Sequence, residues 1–184
     1  MPRGTGPSRV FLVGMMGAGK STVAKLAALR LGWAAVDIDE LVERASGLTV
    51  GEMFSRQGEE AFRTAESRAI VGLSSEPGPL VVSVGGGAVL RAENREAMRA
   101  LGRVVWLRAT PATLAARAGR GAGRPLLETA RRGDDGILGA LERLAAERHD
   151  LYAEVAQVVI DVDKLSPTEV AEAVAAAAVG SVPP

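Results

Sequence analysis

The stretch GMMGAGKST, residues 14–22, combines three glycines, a lysine and two hydroxyl side chains in the spacing G-x-x-x-x-G-K-S. Glycine allows backbone conformations that turn successive N–H groups toward an anion, and a helix N-terminus favours negative charge. In this interpretation Lys20 reaches the β- and γ-phosphates of a nucleotide, and the Ser21 hydroxyl binds Mg²⁺. The pattern predicts a phosphate-binding loop between a strand and a helix; the alternative is a glycine-rich turn that binds nothing.

Two carboxylates follow in the stretch AVDIDE, at the end of the second apolar run of the chain. If that run continues as a strand, Asp37 and Asp39 point to the same side of it. Both would then stand near the phosphate-binding loop, because ligands bind beyond the carboxyl ends of parallel strands. One carboxylate could hold Mg²⁺ while the other orients an attacking hydroxyl and accepts its proton. The alternative, that they cap the following helix, would account for one of them.

Three consecutive glycines, residues 85–87, follow the third apolar run. Consecutive glycines destabilise a regular element, so they predict a stretch of backbone that another group must approach closely. A plain turn is the alternative, but such a turn needs only one or two glycines.

The segment 117–135 holds five arginines and four glycines with little apolar periodicity. In a phosphoryl-transfer enzyme, such a segment can close over the triphosphate as a lid, exclude water and supply positive charge. The alternatives are a solvated mobile loop and a nucleic-acid-binding patch, the second of which lacks interleaved aromatic residues. We therefore expect a lid.

The elements that must position these groups form a repeating pattern. Five short apolar runs alternate with helical patterns, which is typical of a parallel sheet covered on both faces in an α/β fold. The predicted strands are residues 10–13, 33–38, 80–84, 104–107 and 158–162. Capping residues predict helix starts at Thr49, Thr110 and Ser166, and the helix after the loop is expected to end at Gly32.

Composition limits the remaining possibilities. The chain has 184 residues, 47% of them hydrophobic, with 22 basic and 22 acidic side chains and no cysteine. We expect one domain at residues 10–179, a disordered tail at residues 1–9 and a short tail at residues 180–184. Balanced charge argues against nucleic acid and membranes as partners, and the lack of cysteine excludes disulfides and cysteine-bound zinc. With no membrane-spanning run and no signal peptide, a cytoplasmic location is expected. Balanced charge and the lack of an obvious exposed apolar stripe predict a monomer.

Taken together, the motifs resemble a known family. The stretches GMMGAGKST, DIDE, GEEAFRTAE, GGGAVL, GRPLL and ERHDLYAEVA, in this order and at these intervals, resemble shikimate kinase over nearly the whole chain. The resemblance implies the P-loop kinase fold, a five-stranded parallel sheet in the order 2-3-1-4-5 flanked by helices. It also implies a substrate-binding helical region at residues 40–75 and a lid at residues 117–135. The implied reaction transfers the γ-phosphate of ATP, with Mg²⁺, to the 3-hydroxyl of shikimate.

The resemblance further implies roles for individual residues. The implied catalytic residues are Lys20, Asp39, which contacts the substrate hydroxyl, and Arg124, which faces the phosphates from the lid. Ser21 and Asp37 correspond to the metal-binding positions. The implied ATP contacts are Gly17, Ala18, Gly19, Lys20, Ser21, Thr22, Arg124 and Arg117, the last beside the adenine. The implied shikimate contacts are Asp39, Arg63, Gly85, Gly86, Gly87 and Arg148, with the two arginines on its carboxylate.

Other interpretations stay open for the arginines and for the function class. By helical spacing alone, Arg63 could form a surface salt bridge to Glu59 or Glu60, and Arg148 could pair with a neighbouring glutamate. Among functions, the alternatives are another small-molecule or nucleoside-monophosphate kinase, such as a gluconate kinase, a GTPase, and a nucleotide-binding module without catalysis. The chain lacks an N-K-x-D motif for guanine, which argues against the GTPase.

Overall fold

Five parallel strands form one sheet in the order β2-β3-β1-β4-β5 in the computed structural model, which describes residues 8–118 and 136–180. The strands are β1 (Arg9–Val13), β2 (Ala34–Asp37), β3 (Leu80–Ser83), β4 (Arg103–Arg108) and β5 (Val158–Asp161). Strand β1 is central, since Val10 pairs with Val81 of β3 and with Arg103 of β4. Every residue of β1 after Arg9 is fully buried, so helices cover both faces of the sheet. The expected fold and strand order are confirmed.

Helices connect the strands and form the two outer layers. The helices of the described ranges are α1 (Lys20–Leu31), α2 (Ile38–Ser46), α3 (Val50–Gln57), α4 (Glu59–Gly72), α5 (Ala92–Leu101), α6 (Pro111–Ala118), α7 (Gly136–Val155) and α8 (Pro167–Ala178). Helices α1 and α8 pack on each other, while α5 and α7 both pack on β4. Within the described residues, no helix combines the length and apolar character needed to cross a membrane.

The helix boundaries that the capping residues predict are present. The Thr49 hydroxyl accepts a hydrogen bond from the backbone N–H of Glu52, and the Glu52 carboxylate accepts one from the backbone N–H of Thr49, which closes a capping box. Ser166 and Glu169 form the same pair at the start of α8. Helix α1 ends at Leu31 and is capped by Gly32 as expected, with a φ of 67° that favours glycine.

The second strand is shorter than predicted, and this changes how its acids are placed. Strand β2 ends at Asp37, whose carboxylate accepts a hydrogen bond from the backbone N–H of Asp39 at 3.0 Å and so caps α2. Asp39 is therefore the second residue of a helix, and the prediction that both acids alternate along one strand is wrong. Trp33, expected within this strand, precedes it and is half-buried, whereas Trp106 lies within β4 and is buried.

Candidate active site

The predicted phosphate-binding loop lies between the end of β1 and the start of α1. Its three glycines all have positive φ, between 85° and 140°, which other residues rarely adopt. The loop also passes close to β4, because a Cβ atom at Gly14 would meet the carbonyl oxygen of Leu107. Lys20, the first residue of α1, curls back so that its ammonium donates to the Gly14 and Met15 carbonyls at 2.8 and 3.0 Å. The loop is thus a turn with a cation held at its rim.

Beside the loop, a hydroxyl and a carboxylate form a pair. Ser21 Oγ donates to Asp37 Oδ2 at 2.7 Å and lies 3.2 Å from Ser83 Oγ, at the end of β3. Asp37 therefore caps α2 with one oxygen and meets Ser21 with the other; the cap is present, and the metal-binding role of this acid stays a prediction. The pair supplies the oxygen ligands that Mg²⁺ prefers. Sequence reasoning missed Ser83, although a lone hydroxyl at the end of a buried apolar run was a usable signal.

Asp39 lies deeper in the site, at the first turn of α2. Its Oδ1 atom is buried and has no hydrogen-bond partner among the described residues. Burial raises the pKa of Asp39 above its ordinary value, and the charge of Asp37 raises it further, against the opposing charges of Lys20 and Arg63. An oxygen left without a partner in this position can accept a hydrogen bond from a bound hydroxyl.

Arg63 of α4 forms the centre of an ion-pair network. Its guanidinium donates to Glu59 at 3.0 Å and to Glu66 at 2.9 Å, and its side chain is only 9% exposed. The salt bridge to Glu59 that spacing allowed is therefore present, but Arg63 is buried in the site rather than lying on the surface. Although burial acts to lower it, the pKa of Arg63 is raised because Glu66 and Glu59 stabilise the charged form.

Glu66 is a site residue that sequence reasoning missed. Its side chain is fully buried, and Oε1 has no hydrogen-bond partner among the described residues. Burial raises the pKa of Glu66 to about 7, although the charge and hydrogen bond of Arg63 act to lower it. A signal did exist, because Phe62, Glu66 and Ile70 recur every four residues and place this acid on the apolar face of α4.

The three glycines after β3 are packed against these side chains. A Cβ atom at Gly85 would collide with Glu66 and lie 3.2 Å from Asp39 Oδ1, and one at Gly87 would collide with the Arg63 guanidinium. At Gly86 it would lie 3.3 Å from the Gly14 carbonyl oxygen of the phosphate-binding loop. The predicted close approach to this backbone is therefore present at all three positions.

Helix α7 contributes the second arginine. Arg148 is 3% exposed, and its Nε has no hydrogen-bond partner among the described residues. One turn later, the Tyr152 hydroxyl donates to the Gly86 carbonyl at 2.6 Å. Burial raises the pKa of Tyr152 to about 12, although the charge of Arg148 acts to lower it. Arg148 is therefore buried at the site, and the salt bridges of the described residues do not include the pairing with a neighbouring glutamate that helical spacing allowed.

A cavity of about 420 Å³ joins these groups. The predicted site residues that line it are Gly17, Gly19, Lys20, Ser21, Thr22, Asp37, Asp39, Arg63, Gly85, Gly86, Gly87 and Arg148. Phe54 and Phe62 add an apolar wall, with their ring centroids 5.1 Å apart. The size and mixed lining suit a small polar ligand.

Two predicted residues of the described ranges, Ala18 and Arg117, do not line the cavity, and a third lies outside those ranges. Ala18 belongs to the phosphate-binding loop, but its side chain is buried in the core. Arg117, in the last turn of α6, donates to the Val162 carbonyl at 3.0 Å, next to the end of β5 and outside the cavity. Arg124 and the predicted lid beyond residue 118 lie outside the described residues.

The fold and the site together define a P-loop kinase, because a phosphate-binding loop after β1 opens into the same cavity as an available carboxylate and two buried arginines. A family model described as shikimate kinase matches residues 16–178. The chain belongs to the shikimate kinase family. The expected family and enzyme class, a kinase and therefore a transferase, are confirmed.

Individual relatives agree with this family. A shikimate kinase of Symbiobacterium thermophilum is 48% identical over 160 residues, covering 85% of this chain and 88% of that protein. One of Cupriavidus pinatubonensis is 41% identical over 170 residues, covering 92% of this chain and 85% of that protein. Among solved structures, shikimate kinase from Acinetobacter baumannii in complex with shikimate has a TM-score of 0.85 at 35% identity, and the match covers 94% of this chain and 93% of that one.

Proposed function

We propose that this protein transfers the γ-phosphate of ATP to the 3-hydroxyl of shikimate, giving shikimate 3-phosphate and ADP, in the pathway to chorismate and the aromatic amino acids. The observation that carries the proposal is that the phosphate-binding loop, Asp39, Arg63 and Arg148 line one and the same cavity. Shikimate is a carboxylate bearing three hydroxyls, so it needs cations at one end and a hydrogen-bond acceptor at the other.

On the donor side, the loop residues Gly17, Ala18, Gly19, Lys20, Ser21 and Thr22 contact the phosphates of ATP. The Ser21 hydroxyl and Asp37 carboxylate, 2.7 Å apart, would hold Mg²⁺. Few protein ligands suffice, because Mg²⁺ usually keeps several waters and shares substrate phosphates. When bound, the ion neutralises charge that develops on the transferred phosphoryl group. Arg117 flanks the adenine, and Arg124 of the lid faces the phosphates; both stay predictions.

On the acceptor side, Arg63 and Arg148 hold the shikimate carboxylate from two helices, since guanidinium groups match carboxylates in a fork-like geometry. Gly85, Gly86 and Gly87 present backbone against which the ring packs. Asp39 accepts the hydrogen bond of the 3-hydroxyl through the oxygen that has no partner among the described residues. A ligand held at both ends has one orientation relative to the phosphate-binding loop.

In the transfer, the 3-hydroxyl oxygen attacks the γ-phosphorus in line with the leaving oxygen, and the bond to the β,γ-bridging oxygen breaks. The proton of the hydroxyl passes to Asp39, whose raised pKa makes it a better base than an ordinary aspartate. Lys20 compensates the charge on the phosphates from the rim of the loop.

The proposal keeps the other expectations for the chain. The protein acts as a monomer with one domain at residues 10–179. Within that domain, residues 40–75 form the substrate-binding region and residues 117–135 form the lid. A supply of ATP supports a cytoplasmic location. Neither nucleic acid nor a membrane is a partner, in keeping with a net charge of zero.

The test is ADP release from ATP and Mg²⁺ with no acceptor, with shikimate, with gluconate and with a panel of nucleoside monophosphates. We expect turnover above the background only with shikimate. Turnover with gluconate or a nucleotide instead would keep the donor site and reject the acceptor assignment. ADP release that no acceptor stimulates would reject the kinase proposal.

A further inference from the structure

We propose that Tyr152 is a positioning residue for the phosphoryl transfer: its hydroxyl ties Gly86 to Arg148 and so fixes the acceptor site relative to the phosphate-binding loop. The inference rests on the proposed function, because it concerns how the same cavity is held in shape. Tyr152 does not line this cavity; it acts through two residues that do.

The first half of the link is the hydrogen bond to the glycine backbone. Tyr152 is 1% exposed, and its hydroxyl donates to the Gly86 carbonyl at 2.6 Å. Gly86 in turn lies against the phosphate-binding loop, since a Cβ atom there would be 3.3 Å from the Gly14 carbonyl oxygen and 3.4 Å from the Met16 nitrogen. Tyr152 therefore holds the point at which the acceptor and donor sides of the cavity touch.

The second half of the link is Arg148, one helical turn before Tyr152 on α7. Residues four apart on a helix share one face, so Arg148 and Tyr152 are neighbours on α7, and the positive charge of Arg148 acts on the Tyr152 hydroxyl. A phenol hydroxyl can donate one hydrogen bond and accept others at the same time, so it can serve both neighbours. Because burial keeps the pKa of Tyr152 near 12, the hydroxyl retains its proton, and thus its bond to Gly86, across the physiological pH range.

The ring of Tyr152 is itself fixed by packing. It stacks on Trp106 of β4 with ring centroids 5.4 Å apart and an interplanar angle of 26°. A rigid ring places the hydroxyl at one point, which a flexible side chain could not do. The same packing means that Tyr152→Phe removes the hydroxyl while keeping the ring and its contacts.

The experiment compares steady-state kinetics of the wild type and Tyr152→Phe. We expect the KM for shikimate to rise about three- to tenfold, the usual worth of one hydrogen bond. The KM for ATP should stay within about twofold, because the donor site keeps its own contacts. The control is Ser55→Ala, which deletes a hydroxyl that donates to the Glu52 carbonyl within α3 at 3.1 Å; neither residue lines the cavity. Its KM for shikimate should not change.

A double-mutant cycle with Arg148→Lys separates positioning from general loosening. If Tyr152 acts through Arg148, adding Tyr152→Phe to Arg148→Lys should raise the KM for shikimate by less than about twofold. Thermal unfolding of each variant shows that it folds. An unchanged KM in Tyr152→Phe, equal rises in both KM values, or independent effects in the cycle would each overturn the inference. If the wild type does not turn over shikimate at all, the proposed function is rejected instead, and the inference about Tyr152 is rejected with it.

Discussion

Replacing Glu66 with glutamine should remove a pH-dependent loss of stability. Glu66 is fully buried, and burial raises its pKa from 4.5 to about 7. Below pH 4.5 the carboxyl is protonated in both the folded and the unfolded protein, so its ionisation does not affect stability. As the pH rises toward 7, the unfolded chain releases this proton while the folded protein retains it. The free energy of unfolding therefore falls through this range, and glutamine abolishes that fall.

The magnitude follows from the shift. A change from 4.5 to about 7 spans about 2.5 pKa units, and each unit corresponds to about 1.36 kcal/mol. The stability of the wild type relative to Glu66→Gln should thus decline by about 3 kcal/mol between about pH 4.5 and pH 7, and then level off. Glutamine has nearly the same shape and keeps an oxygen that Arg63 can contact, so the variant should fold.

The assay is urea unfolding of both proteins at a series of pH values from about 4 to 8. The control is Glu59→Gln, which removes the other partner of Arg63. The side chain of Glu59 is 52% exposed, and exposed ion pairs contribute only about 0–1 kcal/mol. The free energy of unfolding of this variant should therefore depend on pH in the same way as that of the wild type. If the free energies of unfolding of the wild type and Glu66→Gln change with pH in parallel, the reasoning is refuted. Such a result would mean that the charge of Arg63 fully offsets the effect of burial on the pKa of Glu66.

Three further substitutions test separate parts of the structure. Arg63→Ala should raise the KM for shikimate about 10- to 100-fold, since a charged hydrogen bond is lost, with little change in the KM for ATP; an unchanged KM for shikimate would reject its carboxylate role. Ser21→Ala should lower kcat about tenfold or more at saturating substrates, because the proposed Mg²⁺ ligand is lost; wild-type turnover would contradict this. Thr49→Ala should cost about 1 kcal/mol in urea unfolding, and no loss would mean that the cap of α3 contributes nothing.

The parts of the fold that depend on local chemistry were predictable from the sequence. The phosphate-binding loop and the helix starts at Thr49 and Ser166 each follow from a few adjacent residues whose backbone needs are specific. The strand order is different, because strands that pair are far apart in the chain and short apolar runs do not encode their partners. The order came from the resemblance to shikimate kinase.

Within the site, sequence reasoning failed where two local rules compete or where a contact is nonlocal. Asp37 and Asp39 alternate as they would on a strand, but capping by Asp37 starts a helix one residue later. Glu66 stands three residues after Arg63, a spacing that usually indicates a surface ion pair, and only the tertiary packing of α4 buries both. The bond from Tyr152 to Gly86 joins residues 66 positions apart, which no local pattern predicts.

The most direct test of the proposed function is the identity of the product. The wild-type protein would be incubated with ATP, Mg²⁺ and shikimate, and the product examined by phosphorus NMR correlated to protons. The account predicts one new phosphate monoester, coupled to the proton on carbon 3 of the ring and formed in equal amount to ADP. A phosphate on another hydroxyl, or release of inorganic phosphate with shikimate unchanged, would contradict it.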